Sequence, residues 1–226
     1  MCLIWRENIL TSQCRIFTKC VDGFLQSDEK GWDMFWRMTA ILILLVFYGV
    51  YIGKMVIQTK RGIRTDQIAK GKKRDKVFYI ELLMKIATYS VILIEVVSIS
   101  WVKPDLPVAV IITGALLGVA GDMLFAIAVV TMKDSWRAGI AEEDNREMIT
   151  SGIYKISRNP AFLGFDCVYL GILLMFFNWI LLFFSVFAAV MLHLQILQEE
   201  EYLPTVFGED YISYKKCVSR YLGRIE

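Results

Sequence analysis

Apolar side chains along this chain gather into five runs parted by polar, mostly basic connections. A helix that crosses hydrocarbon needs about 20 apolar residues, with ~17 tolerated. Residues 38–57 form the first run, almost free of charge until Lys54, and 77–101 the second, carrying Glu81, Lys85 and Glu95. Residues 106–132 form the third, interrupted only by Asp122. Runs four and five, 161–177 and 179–197, are parted by little more than Asn178, so they must turn back on each other as an antiparallel hairpin. The pattern predicts an all-α, multi-pass membrane bundle of about five transmembrane helices. It also predicts a tight C-terminal hairpin and a cytoplasmic C-terminal helix. Residues 1–37 read as an N-terminal amphipathic segment, 38–198 as the bundle and 199–226 as a cytoplasmic segment completing a site.

Ahead of the first run, Leu3, Ile4, Trp5, Ile9, Leu10, Ile16 and Phe17 recur near helical spacing, which suggests an interfacial helix. Arg6, Glu7, Arg15 and Lys19 interrupt any core that a cleavable signal would need. Basic residues orient the bundle. The first connection carries nine, among them Lys60, Arg61, Lys72, Lys73 and Arg74, and the third carries Lys133, Arg137, Arg146, Lys155 and Arg158. The positive-inside rule places both connections, and the basic C-terminus, in the cytoplasm. The expected location is therefore the cell membrane, among its lipids.

Composition agrees: 56% of residues are hydrophobic and mean hydropathy is +0.50, above the roughly 45–50% apolar share of soluble domains. A net charge of +2 gives no electrostatic reason for a nucleic-acid partner. Five scattered cysteines without a CxxC pair, and one histidine, predict no metal site and no disulfide framework. Gly114, Gly118 and Gly121 in the third run stand at the spacing that lets helices pack closely. No strand precedes them, so they are not a dinucleotide fingerprint.

The stretch 152–164, GIYKISRNPAFLG, opens the fourth run. Pro160 suits the first turn of a helix, which puts Arg158 and Asn159 at its cap beside free backbone N–H groups. Because the hairpin runs out and back, Arg158 is expected beside Gln198-Glu199-Glu200-Glu201. That juxtaposition suits a zwitterionic ligand, with its carboxylate on Arg158 and its cation on Glu199 or Glu200. It suits equally a plain Arg–Glu pair at the membrane surface.

Residues 148–164, MITSGIYKISRNPAFLG, resemble a family stretch written LVTSGxYxxxRHPxYxG. Glu199-Glu200-Glu201-Tyr202-Leu203, then Phe207-Gly208, Tyr211 and Tyr214, resembles EExxLxxxFGxxYxxY, and Asp134-Ser135-Trp136-Arg137 resembles the segment after the preceding span. Together these resemble the isoprenylcysteine carboxyl methyltransferase and related phospholipid methyltransferase family over roughly residues 106–222. The resemblance implies a membrane enzyme that takes a methyl group from S-adenosylmethionine. Its acceptor would be a lipophilic or amphiphilic molecule from the bilayer: an isoprenylcysteine-like carboxylate, a lipid amine or a thiol.

By position, the resemblance implies cofactor contacts at Arg146, Glu147, Met148, Ile149, Tyr154, Asn159, Pro160, Ala161, Phe162 and Glu199, with Glu200 beside them. It implies a substrate contact at Gln195. Asn159 stands where the family has His, Phe162 where it has Tyr, and Gln195 where its prenylcysteine members have a basic residue. Arg158 and His193 are the candidate catalytic residues, His193 as a base one and a half turns before Glu199. The rival readings are a sterol-type reductase, with NADPH held by Arg137, Arg146, Lys155 and Arg158, and a non-enzymatic membrane protein.

Overall fold

A computed structural model describes residues 2–63, 76–136 and 147–224, with side chains from Glu29 onward. Its helices are α1 (Cys2–Lys60), α2 (Lys76–Trp101), α3 (Val108–Met132), α4 (Pro160–Met175) and α5 (Trp179–Cys217), with 3-10 turns at Lys133–Ser135 and Gly152–Lys155. Each apolar run of the sequence is thus a helix. The chain divides into two compact units, Met1–Met38 and Thr39–Glu226. In the first, Arg37 Nε donates to Asp33 Oδ2 at 3.0 Å one turn away, and Trp36 meets Trp32 and Phe35 edge to face. Helix α1 includes both the expected amphipathic segment and the first span.

Helices α1, α2, α3 and α5 hold stretches long and apolar enough to cross a membrane. Helix α4 does not reach that length: its 16 residues rise about 24 Å. Pro160 sets its start, and the chain leaves helical geometry at Phe176 and again at Asn178. Asn178 begins α5 by accepting a hydrogen bond from Leu181 N at 2.9 Å while donating to Ser98 Oγ at 2.9 Å, which ties the hairpin tip to α2.

The bundle is apolar outside and partly polar inside. Leu45, Val130 and Phe183 are about two-thirds exposed, whereas Gln58, Glu95 and Gln195 are fully buried. A water-soluble domain shows the reverse, so this exterior is made for lipid. Trp101, ending α2, and Trp179, starting α5, are the most exposed large hydrophobic side chains among the described residues and share one end of the bundle, as an interfacial aromatic belt would.

The α3–α4 seam is built from glycine. A Cβ on Gly114 would lie 2.6 Å from the carbonyl of Gly171, and one on Gly121 would lie 2.8 Å from that of Gly164. Backbone meets backbone along the seam, so the GxxxGxxG spacing serves packing, as its sequence suggested. On the other side, Met84, Ala87 and Val91 of α2 pack against Ala188, Met191 and Leu192 of α5, with Tyr169 of α4 between.

Candidate functional site

The basic end of the bundle is where the starts of α2 and α4 meet the ends of α1 and α5. Two arrangements lie there, back to back.

The first is an ion network centred on Glu200, which is 3% exposed. Arg158 Nη2 donates to Glu200 Oε1 at 3.0 Å, and Arg220 reaches both oxygens through Nε at 3.2 Å and Nη2 at 3.0 Å. Asn159 Nδ2 adds a bond to Oε1 at 3.3 Å, and Lys215 Nζ stands 3.7 Å from Oε2. Burial alone would raise the Glu200 carboxyl. The hydrogen bond from Arg220 and the charges of Arg158, Arg220 and Lys215 outweigh it and hold Glu200 below the ordinary glutamate range. The expected juxtaposition of Arg158 with the glutamates is therefore present. Arg158 is committed to Glu200 and, through Nη1, to the carbonyl of Lys215 at 3.0 Å.

A C-terminal hook completes this network. Ser219 N donates to Gly223 O at 2.9 Å, Gly223 N to Ile156 O at 2.8 Å and Arg158 N to Ser219 O at 3.1 Å. Asn159 Nδ2 also donates to the carbonyl of Arg220 at 3.2 Å. The hook exists because α5 bends at Gly208, whose φ of 57° and ψ of −135° are open to glycine alone. That bend returns the chain to the GIYKISRNP segment. His193 belongs to this side: its Nδ1 meets the Tyr221 hydroxyl, and it is absent from the walls of the cleft described next.

The second arrangement is a cleft of about 820 Å³. Its polar mouth holds Lys60, Lys85, Gln195 and Glu199, and Ala161 and Phe162 close it from the start of α4. Below the mouth, α1 presents Tyr51, Ile52 and Met55, while α2 presents Met84, Thr88 and Ile92. Trp136 forms part of the wall. It is held there because fully buried Gln58 donates to its carbonyl at 3.1 Å and Arg61 pairs with Asp134 at 2.9 Å. Gln195 Nε2 donates to Glu199 Oε1 at 3.0 Å, leaving the buried Gln195 Oε1 without a partner. The mouth therefore offers a carboxylate and an unused carbonyl oxygen to a cationic ligand, inside aromatic walls that favour cations.

Glu199 and Glu200, adjacent in sequence, thus face opposite ways: one into the cleft, one into the network. Tyr154, Tyr211 and Tyr214 surround both. Burial raises Tyr154, with Tyr214 and Glu199 adding to it, and burial raises Tyr214 to about 12. All three phenols stay neutral at physiological pH. The Tyr214 hydroxyl donates to the carbonyl of Tyr154 at 2.7 Å, pinning the 3-10 turn that precedes Arg158. Pro160 occupies the first turn of α4 with Asn159 at its cap position. Glu147 is exposed, and Met148 and Ile149 are half-buried in the segment leading to that turn. Arg146 and Arg137 lie outside the described residues. Among the described residues no cluster of His, Cys, Asp and Glu could hold a metal ion.

Two sets of contributors escaped sequence reasoning. The cleft walls from α1 and α2 lie where only a hydropathy profile had been read. Tyr48, Tyr51, Ile52, Met55 and Thr59 fall on one helical stripe, and that stripe, more polar and aromatic than its neighbours, was the available signal. Arg220 sits in an irregular turn after α5, and no local pattern announces its partner 20 residues earlier.

Comparison with known proteins points the same way. Residues 112–205 match the isoprenylcysteine carboxyl methyltransferase (ICMT) family. The chain is 32% identical over 101 residues to a protein-S-isoprenylcysteine O-methyltransferase of Schizosaccharomyces pombe, covering 43% of each protein. It is 30% identical over 108 residues to protein-S-isoprenylcysteine O-methyltransferase B of Arabidopsis thaliana, covering 46% of this chain and 55% of that relative. With the Saccharomyces cerevisiae protein-S-isoprenylcysteine O-methyltransferase it shares 28% over 143 residues, covering 58% and 60%. The chain spans about half the length of these curated relatives. The resemblance carried by residues 148–164 and by Glu199 and Glu200 is borne out: the segment 112–205 has the family's sequence pattern.

Proposed function

We propose that this protein is an integral membrane methyltransferase that uses S-adenosylmethionine to methylate an amphiphilic acceptor drawn from the bilayer. One observation carries the reading. A single cleft joins Ala161, Phe162, Gln195 and Glu199, all inside the family-matching segment, to an apolar corridor between α1 and α2. A polar donor and a lipophilic acceptor can meet only where such surfaces adjoin.

The donor supplies a methyl group already activated on a sulfonium, so the chain has to position and desolvate the partners more than activate them. Glu199 and the free Gln195 Oε1 suit its cationic portion, and Phe162 and Trp136 offer aromatic faces. Asn159, Tyr154 and Glu200 act one layer behind: the network fixes where α4 begins and where α5 ends, and so sets the width of the mouth. Arg158 is by the same geometry a positioning residue. His193 bonds to Tyr221 on the hook and does not line the cleft, which favours a reaction without it as base. The acceptor must then arrive nucleophilic, as a carboxylate or thiolate does.

The excess of basic residues in the connections beside this mouth supports a cytoplasmic orientation for it in the cell membrane. The test is to incubate purified protein with methyl-labelled S-adenosylmethionine and a membrane lipid extract, then search the products by mass spectrometry. Label in a lipid-soluble product, reduced with Glu199→Gln at limiting donor concentration, is the expected result. No labelled product from any lipid fraction would overturn the reading.

A further inference from the structure

Followed downward from its mouth, the cleft ends at Tyr48 and Ile92, and further polar side chains lie about one turn beyond. On α2 its wall is Lys85, Thr88 and Ile92, and the next residue on that stripe is Glu95. On α4 the stripe Phe162 and Phe165 continues to Tyr169, and on α5 the stripe Glu199, Gln195, Leu192 continues through Ala188 to Ser185. On α1 the deepest wall residue is Tyr48. The packing of Met84, Ala87 and Val91 against Ala188, Met191 and Leu192 fixes the antiparallel register of α2 and α5. With Asn178 bonded to Ser98 at the tip, that register brings Glu95 within about one turn of Ser185. Glu95, Tyr169 and Ser185 also stand six residues from Trp101, Met175 and Trp179, which end or begin their helices. Four helices therefore each bring one polar side chain to a common depth.

Among the described residues, none of these groups has a hydrogen-bond partner outside the cluster. Glu95 is 0% exposed, Tyr169 1% and Ser185 6%, and both Glu95 oxygens and Ser185 Oγ lack a hydrogen-bond partner. Glu95 lies within charge range of both tyrosines, and the two phenol hydroxyls stand within hydrogen-bonding reach of each other. An orphaned buried polar group costs about 1–3 kcal/mol, and an acidic residue within a span marks a functional site by default. An orphaned carboxyl and an orphaned hydroxyl beside two phenols, just past the end of one cleft, are too costly for packing alone, since leucine would fill the Glu95 place more stably.

We infer that Tyr48, Glu95, Tyr169 and Ser185 form a hydrogen-bonding subsite inside the membrane for a hydroxyl group carried by the acceptor's chain, remote from its methylated end. A hydroxyl is the fitting partner because it donates to a carboxyl oxygen and accepts from a phenol. An ammonium would have to leave water and pair with Glu95 in a low dielectric. The cleft's length agrees, as Lys60 at the mouth and Tyr48 at the floor are 12 residues apart on α1, about 18 Å.

This inference rests on the proposed methyl-transfer reading, and its test separates the two. Dodecanoic acid and ω-hydroxydodecanoic acid are titrated calorimetrically into the full-length protein in detergent, with S-adenosylmethionine titrated in parallel. The hydroxylated acid should bind the wild type roughly tenfold more tightly, the weight of one well-made buried hydrogen bond. Glu95→Leu should abolish that preference, leave donor affinity unchanged and raise the melting temperature. Tyr48→Phe, which keeps the ring and the fold, should halve the logarithm of the preference. Equal or weaker binding of the hydroxylated acid, no binding of either acid, or a preference that survives Glu95→Leu would overturn the subsite. Loss of donor binding in the wild type would instead overturn the methyl-transfer reading while the acid comparison still judged the floor.

Discussion

Replacing Glu200 by alanine tests the ion network most sharply. The carboxylate it removes is 3% exposed and accepts from Arg158, Arg220 and Asn159 at 3.0–3.3 Å. Arg158, with a side chain 7% exposed, is then left charged and buried without its partner. Breaking a buried pair costs about 3–5 kcal/mol. Arg220 and Lys215 are 34% and 43% exposed, so solvent screens their shares and about 3 kcal/mol is the expected loss. For a chain of this size each kcal/mol moves the melting temperature by ~2–4 °C, giving a fall of about 6–12 °C in detergent. Glu200→Gln, which still accepts from Arg158, should fall about half as far. The sign of the pH effect follows from the lowered carboxyl. Its stabilisation is fully present above the ordinary glutamate range and is lost as pH falls below that range through the depressed value. Wild type should therefore hold its melting temperature from pH 7 to 5 and lose it in more acid buffer, while Glu200→Gln loses less there. A fall under about 2 °C for Glu200→Ala, or equal acid sensitivity of the two proteins, would refute the reasoning.

Gly171→Ala places a methyl 2.7 Å from both the Gly114 carbonyl and the Gly118 nitrogen, and should cost about 1–3 kcal/mol by forcing α3 and α4 apart; Gly49→Ala, with nothing within 4 Å, is the neutral control in the same melting assay. Asn178→Ala removes a helix cap and the bond to Ser98, so it should cost about 1–2 kcal/mol with donor affinity intact. Glu199→Gln should weaken S-adenosylmethionine binding about tenfold by calorimetry with little change in melting temperature. His193→Gln should leave methyl transfer within about threefold of wild type, whereas loss of the general base it was expected to be costs about a hundredfold or more.

How much of this was legible beforehand varies by element. Helical periodicity and length placed α2, α3 and the start of α5 to within a few residues, because in hydrocarbon the backbone has no alternative to a helix. Helix α5, by contrast, continues to Cys217, 20 residues past the apolar run. The hairpin constraint brought Arg158 to the glutamates, because two antiparallel helices of similar length return to the same level. Periodicity could not say which glutamate would turn inward. Neighbours on a helix differ by about 100° in direction, so Glu199 and Glu200 were separable only once α4 had a place. The hook was illegible for a different reason. Arg220 and Tyr221 act through an irregular turn whose course depends on the bend at Gly208. The polar floor was spread over four helices whose shared depth depends on packing register, and only Glu95 was visible as a charge within a span.

The central claim is that the cleft mouth receives a methyl donor. Calorimetric titration of S-adenosylmethionine into purified protein tests it most directly, with NADPH as the parallel ligand. One-to-one binding of S-adenosylmethionine, weakened by Glu199→Gln and absent for NADPH, is the predicted result. Heat from NADPH alone, or from neither ligand, would contradict the account.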